Sequence, residues 1–272
     1  MKVALVTGAG SGIGLATALA FVNAGIAVVG LGRRREKLEE LVAAAGDKCE
    51  KIAILSIDAM LDEAPARAVE LAMSRFGHLD YLVNNAGTGR PKPVHETDDA
   101  TLDASLNLML RSPFRFTREA LTVMQSGSSI VNVASTYALV GGLRGGAYSA
   151  AKAGLLGLTL HVACQYGSSG VRCNAVAPGV IPTEMTEGRF EDEKFKRMNN
   201  DMTPSPRLGT AADVAGTILF LCSDAAAWIN GQCIAVDGGW SSTKFLSESA
   251  LVAERIEVAP GFSHSGRTPA IG

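Results

Sequence analysis

An α/β fold with a parallel sheet is predicted by three features of the chain. Short apolar runs without polar alternation recur along it, the first at Val3-Ala4-Leu5-Val6, as expected of strands buried on both faces. That first run opens into Thr7-Gly8-Ala9-Gly10-Ser11-Gly12-Ile13-Gly14 and then a helical pattern through Leu15, Leu19 and Val22. Hydrophobic residues make up 47% of the 272 and charged residues 19%, a balance that favours a heavily buried sheet over disorder.

A glycine-rich turn between strand and helix lets the backbone approach a pyrophosphate, whose charge suits the helix N-terminus. The spacing here, Gly8-x-x-x-Gly12-x-Gly14, is not G-x-G-x-x-G, and three glycines also suit a plain tight turn. Their place at the first strand-to-helix junction favours the dinucleotide. The second strand, Ile26 to Leu31, ends at Gly32-Arg33-Arg34-Arg35, with no acidic residue before Glu36 to hold a ribose 2′-hydroxyl. Arg33 offers a guanidinium fork for a 2′-phosphate, so NADP(H) is expected, with NAD(H) as the alternative. The plainer reading is a solvated basic helix start. A helix over residues 36–46 leads to the strand Ile52 to Ile57, ending at Asp58. Asp58 suits an adenine amino group, or simply caps the next helix. A helix over 62–76 precedes the strand Tyr81-Leu82-Val83, which opens into Asn84-Asn85-Ala86-Gly87 on the same edge of the sheet.

Composition narrows the function classes. A net charge of -2 argues against a polyanion-binding surface, so no nucleic-acid partner is expected. Cys49, Cys164, Cys173, Cys222 and Cys233 form no C-x-x-C and no metal-like cluster, and read as reduced, buried thiols; no metal is expected. No apolar run reaches membrane-spanning length, and a strand at Met1 to Val6 leaves no room for a signal peptide. A cytoplasmic protein without a membrane partner is expected.

Tyr148 and Lys152, in Gly146-Ala147-Tyr148-Ser149-Ala150-Ala151-Lys152, lie one helical turn apart on a shared face. A phenol loses its proton near pH ~10, and a neighbouring ammonium favours the phenolate. That is acid–base chemistry, although Tyr-x-x-x-Lys also occurs by chance on plain surface helices.

Taken together, Thr7-Gly8-x-x-x-Gly12-Ile13-Gly14, Asp58, Asn84-Asn85-Ala86-Gly87, Ser135, Tyr148-x-x-x-Lys152, Pro178-Gly179-x-x-x-Thr183 and Asp237-Gly238-Gly239 resemble the short-chain dehydrogenase/reductase family in its single-domain form. The resemblance covers residues 1 to 240. It implies a Rossmann-type, doubly wound, three-layer α/β/α fold with seven strands in the order 3-2-1-4-5-6-7. It further implies hydride transfer between a nicotinamide and a carbonyl or secondary alcohol, by an oxidoreductase acting on a small molecule. Tyr148 would be the general acid or base, Lys152 would lower its pKa and hold the nicotinamide ribose, and Ser135 would hold the substrate oxygen. Gly8, Ser11, Gly12, Ile13 and Gly14 would cradle the diphosphate. Asp58 and Ala59 would meet the adenine, and Asn85, Ala86 and Gly87 the adenosine ribose. Pro178, Gly179, Ile181 and Thr183 would pack on the nicotinamide side. A homotetramer, or at least a dimer, is implied as well.

One position departs from the family pattern. In Met109-Leu110-Arg111-Ser112-Pro113-Phe114, Met109 takes the place usually held by an asparagine that passes protons toward the lysine, and a thioether cannot do that work. Asn107, two residues along a helix, would face the opposite side. A weakly catalytic, dinucleotide-binding regulatory protein is therefore one alternative, and an NAD-linked polyol or hydroxysteroid dehydrogenase another. Tyr137 to Arg144 would form one wall of the substrate pocket, with Ser135, Tyr137, Arg144, Tyr148 and Met185 as substrate contacts. Residues 184–206 read as a helical lid or as an ordinary exposed helix pair. Residues 241–272 form a C-terminal extension, read as an arm reaching another subunit or as a loose tail.

Overall fold

Seven parallel strands form one sheet in the order β3-β2-β1-β4-β5-β6-β7. They are β1 (Val3–Thr7), β2 (Ala27–Gly32), β3 (Ile52–Ser56), β4 (Tyr81–Asn84), β5 (Ser129–Val133), β6 (Arg172–Pro178) and β7 (Cys233–Val236). A computed structural model of the chain describes residues 1–89, 92–142 and 144–243. The order is the one the family resemblance implies. Every residue of β1, β4 and β5 is buried, which a parallel sheet requires when helices cover both faces.

The two-residue period of β1 sorts its side chains between two cores. Ala4 and Val6 face α1 (Gly12–Asn23), α2 (Arg35–Ala44) and α9 (Ala211–Cys222), through Phe21, Leu38, Leu41 and Ile218. Val3 and Leu5 face the opposite layer of α3 (Ala64–Phe76), α5 (Ser112–Leu121) and α6 (Gly146–Tyr166), through Ala68, Phe116 and Val162. Between α3 and α5 runs α4 (Asp99–Leu106), and it passes into α5 through a π-helical segment, Asn107–Arg111. The expected lid contains α7 (Glu187–Phe190) and α8 (Glu193–Met202).

Two expectations are adjusted. The helix after β2 stops at Ala44, and a 3-10 helix, Gly46–Lys51, leads into β3. All five cysteines are free, but only Cys173 and Cys222 are buried; Cys49 and Cys164 are exposed because they fall on outward turns of a 3-10 helix and of α6. Residues 107–111 are π-helical rather than α-helical, but two residues still turn Asn107 to the far side from Met109, which is buried while Asn107 is only partly so. Among the described residues no helix is long and apolar enough to cross a membrane, and no group of side chains could hold a metal ion. Apart from Ser241, Ser242 and Thr243, the C-terminal extension lies outside the described residues, as do Arg90, Pro91 and Leu143.

The strand order reverses between β1 and β4, and in such sheets the crevice beyond the strand ends at this reversal takes the ligand. Two seams hold it open. The amides of Asn85 and Ala86 donate to Thr7 Oγ1 at 3.0 Å each, and Asn85 Nδ2 donates to Thr7 O at 2.9 Å and Gly8 O at 3.3 Å.

Candidate active site

The glycine-rich turn is shaped by backbone proximity. A Cβ at Gly14 would lie 2.1 Å from Gly8 O and 2.5 Å from Asn85 Nδ2, so only glycine fits. Gly12 has φ +53°, and a Cβ there would sit 3.2 Å from Thr183 Cγ2. The turn and the segment after β6 therefore close on each other over the start of α1, whose first amides lack partners within the helix. Ser11 is the N-cap residue but makes no side-chain cap; its hydroxyl bonds the Glu184 carboxylate instead. This glycine-lined cradle at a helix start fits a dinucleotide diphosphate. Ile13 packs on the core beside it, and Ile181 is itself buried in that core. Gly179 is pressed against Asp237, where a Cβ would meet Asp237 Cβ at 2.9 Å, so Pro178 and Gly179 at the end of β6 are held by the turn after β7.

At the end of β2 the basic cluster is largely paired. Arg35 bonds Glu39 at 2.8 Å, Lys37 bonds Glu40 at 2.8 Å, and Arg34 grips Glu184 through both its terminal nitrogens. Arg33 is exposed and, among the described residues, faces no carboxylate. Across the crevice Asp58 Oδ1 accepts from the Met60 amide at 2.9 Å, the turn-capping role weighed for it. Ala59 is buried, and its carbonyl accepts from Ser112 Oγ at 2.8 Å.

Ser135, Tyr148 and Lys152 converge where β5 ends and α6 begins. Ser135 follows β5, is buried, and accepts from the Tyr137 amide at 3.2 Å. Burial dominates at the Tyr148 phenol and holds its pKa above the ordinary value, although a hydrogen bond from Ser135 and the charge of Arg189 pull against that rise. Lys152 Nζ lies 5.8 Å from the Tyr148 ring centroid and donates to Val133 O at 2.6 Å. Its side chain is buried, and that burial lowers its pKa to about 8.

Met109, 1% exposed, is brought to this centre by the π-helical segment. A Cβ at Gly87 would lie 3.7 Å from Met109 Sδ and 3.8 Å from Lys152 Nζ. The thioether thus stands beside the lysine, where the family pattern places an amide.

On the substrate side, the Tyr137 ring stands edge-on to Tyr148 at 6.3 Å and tilted against Trp240 at 6.4 Å. The Trp240 indole N–H is buried without a hydrogen-bond partner among the described residues. Met185 lies over the loop after β4, within 3.4 Å of where a Cβ at Gly89 would stand, with Arg189 Nη2 at 4.0 Å. Arg144 is placed differently. It is exposed, has φ 65°, and lines a cavity of about 550 Å³ with Tyr137, Ser149, Ala150 and Ala153, which neither Ser135, Tyr148 nor Lys152 borders. Arg189, whose charge in the sequence suits a substrate anion, does stand near Tyr148. Arg34, Glu184 and Trp240 have no such local signal as site residues: Arg34 and Glu184 carry charge, but nothing in the sequence pairs them, and Trp240 has none.

These features are those of a dinucleotide-dependent oxidoreductase. The family model described as Enoyl-(Acyl carrier protein) reductase matches residues 8–241. The 2-dehydro-3-deoxy-D-gluconate 5-dehydrogenase of Escherichia coli (strain K12) is 36% identical over 88% of this chain and 95% of its own. The cis-4-hydroxycyclohexanecarboxylate dehydrogenase of Sinomonas cyclohexanicum is 38% identical over 89% of this chain and 97% of its own. The crystal structure of a short-chain dehydrogenase/reductase, glucose/ribitol dehydrogenase, from Brucella melitensis superposes with TM-score 0.83 at 34% identity, covering 89% of this chain and 97% of that one. The chain belongs to the short-chain dehydrogenase/reductase family and is an oxidoreductase acting on alcohol or carbonyl substrates with a nicotinamide dinucleotide.

Proposed function

We propose that the protein is an NADP(H)-dependent carbonyl reductase or secondary-alcohol dehydrogenase in which Tyr148 is the general acid and base. The observation that carries this reading is the convergence of Ser135, Tyr148 and Lys152 beside the glycine-lined crevice. The nicotinamide supplies or accepts the hydride at the substrate carbon. Tyr148 gives its hydroxyl proton to the carbonyl oxygen in reduction and takes it back in oxidation. Ser135 holds that oxygen, and the buried Lys152 ammonium favours the phenolate and holds the nicotinamide ribose.

Gly8, Ser11, Gly12, Ile13 and Gly14 hold the diphosphate, and Arg33, which has no ion-pair partner among the described residues, receives the 2′-phosphate. Asp58 and Ala59 border the adenine, and Asn85, Ala86 and Gly87 the adenosine ribose. Pro178, Gly179, Ile181 and Thr183 border the nicotinamide, with residues 184–206 as the lid. The Asn85 amide nitrogen is already used on Thr7 and Gly8, so its contribution is to brace the turn.

Tyr137 and Met185 border the substrate. Arg189 favours a substrate bearing a carboxylate, since its charge reaches Tyr148 and it has no ion-pair partner among the described residues. Two relatives are named for a gluconate derivative and a cyclohexanecarboxylate, which supports the same class. Exposed Leu160 and Trp228 support self-association, as a dimer or homotetramer in the cytoplasm. A dinucleotide-binding regulator is the second reading, favoured by Met109 alone.

The test is a panel of carbonyl compounds and alcohols assayed with NADPH and with NADH, on wild type and Tyr148→Phe. The variant should bind NADPH and lose carbonyl reduction. Turnover that survives Tyr148→Phe would remove Tyr148 as the acid. Tighter NADH binding would favour an NAD-linked polyol or hydroxysteroid dehydrogenase, and a wild type that binds NADPH but turns over nothing would favour the regulator.

A further inference from the structure

Arg34 and Glu184, 150 positions apart, meet at the dinucleotide crevice. Arg34 Nη1 and Nη2 donate to the two Glu184 carboxylate oxygens at 2.5 and 2.7 Å, a bidentate pair. Arg34 is the N-cap residue of α2, next to Arg33, and Glu184 follows Thr183, which closes on Gly12. Ser11 hydrogen-bonds the same carboxylate, and with Arg34 it holds the Glu184 carboxyl down at about 2, so the group is fully charged near neutrality. One carboxylate therefore touches both the glycine-rich turn and the end of β2.

We propose that Glu184 tunes the discrimination between NADP(H) and NAD(H) by competing with the ribose 2′-phosphate for Arg34. This rests on the NADP(H) reading above. A phosphate offers a guanidinium the same bidentate oxygen edge that a carboxylate does. While Glu184 holds Arg34, both Arg34 donors on that edge are used, and a negative charge stands beside the approaching phosphate. Selectivity then falls on Arg33. With Glu184 neutralised, two adjacent guanidiniums face the phosphate, whereas a ribose 2′-hydroxyl carries no charge for them to attract.

The experiment measures NADPH and NADH dissociation constants by nicotinamide fluorescence at low ionic strength. It uses the full-length wild type, Glu184→Gln, Arg34→Gln and the double variant. Both side chains are about half exposed, so the fold should tolerate each change, and thermal unfolding checks this. The ratio of the NADH to the NADPH constant should rise about three- to tenfold in Glu184→Gln, the range for charge pairs near a surface. It should fall below the wild-type ratio in Arg34→Gln, where an unpaired carboxylate faces the phosphate, and return to about the wild-type value in the double variant. An unchanged or lower ratio in Glu184→Gln overturns the proposal. So does a gain that persists in the double variant, because Arg34 would then not be the group released. A wild type that prefers NADH overturns the NADP(H) reading, while the change in ratio on Glu184→Gln still judges this proposal separately. A wild type that binds neither cofactor overturns both.

Discussion

Met109 and Lys152 approach the same point of the chain, Gly87, with the sulfur 3.7 Å and the ammonium nitrogen 3.8 Å from where a Cβ there would lie. An amide in place of the thioether would give Lys152 an acceptor and a link for proton transfer. Met109→Asn should raise kcat of carbonyl reduction about threefold or more at neutral pH. It should also cost about 1–3 kcal/mol of stability through a buried amide that is not fully bonded. Steady-state rates and urea unfolding check this, with Met109→Leu as control. An asparagine variant no faster than the leucine variant would show that proton supply does not limit turnover.

Lys152 bears on stability as well as on chemistry. Its pKa is about 8 in the folded protein against 10.5 for an unperturbed lysine, because burial penalises the ammonium. Between those values the unfolded chain binds more protons, so this residue's contribution makes stability rise with pH across that window; below it the burial cost is fully present. Lys152→Met should abolish turnover yet unfold at a higher temperature than wild type at about pH 7, by a margin on the order of 3 kcal/mol. That margin should shrink as the pH approaches 10.5. Thermal unfolding of both proteins across that range is the measurement, and a margin independent of pH would count against a charged, buried Lys152.

Arg189 lowers the Tyr148 pKa by favouring the phenolate. Arg189→Met should therefore move the alkaline rise in kcat/KM for alcohol oxidation to higher pH, with a neutral alcohol as substrate. For a hydroxy acid the same variant should raise KM about tenfold or more, whereas the corresponding ester should be little affected. Equal effects on acid and ester would leave Arg189 without a role in anion recognition.

Gly14→Ala should be among the most damaging single-methyl changes in the protein. Its Cβ would strike Gly8 O at 2.1 Å, and neither the turn nor the Asn85 brace can yield without opening the cradle. A loss of about 2 kcal/mol or more and at least roughly tenfold weaker NADPH binding are expected. Gly216→Ala in α9, where among the described residues nothing outside its own helix lies within 4 Å of the added methyl, should instead stabilise by about 0.5–1 kcal/mol. Calorimetry and cofactor titration distinguish the two.

The sheet, and the meeting of Ser135, Tyr148 and Lys152 where β5 ends and α6 begins, were readable because their determinants are local. Tyr148 and Lys152 share a helix, Ser135 ends a strand, and the glycines of residues 8–14 sit at one junction. Pairings across the chain were not readable in that way. Nothing in a run of three arginines says that Arg34 would be gripped by a carboxylate 150 positions away while Arg33 found none among the described residues. Asn85 read as a ribose contact, yet its side chain spans the crevice to brace Thr7 and Gly8, a consequence of strand order rather than of local sequence. Arg144 follows Ser135 closely enough to suggest the substrate pocket, but it has a left-handed backbone and lines a cavity that Ser135, Tyr148 and Lys152 do not border. The π-helical segment was invisible too, since residue propensities do not separate it from an α-helix.

That segment amounts to a helix carrying one surplus residue. The two helices it joins are unequally anchored: α5 is locked in the core by Phe116 and Ala120, whereas α4 buries only Ser105. A gene that lost one codon within 107–111 could be accommodated by α4 swivelling over the surface while α5 stayed seated. The damage would concentrate on the seat of Met109 beside Lys152. Shortening this segment by one codon would therefore be felt first at Lys152 and only second in the sheet.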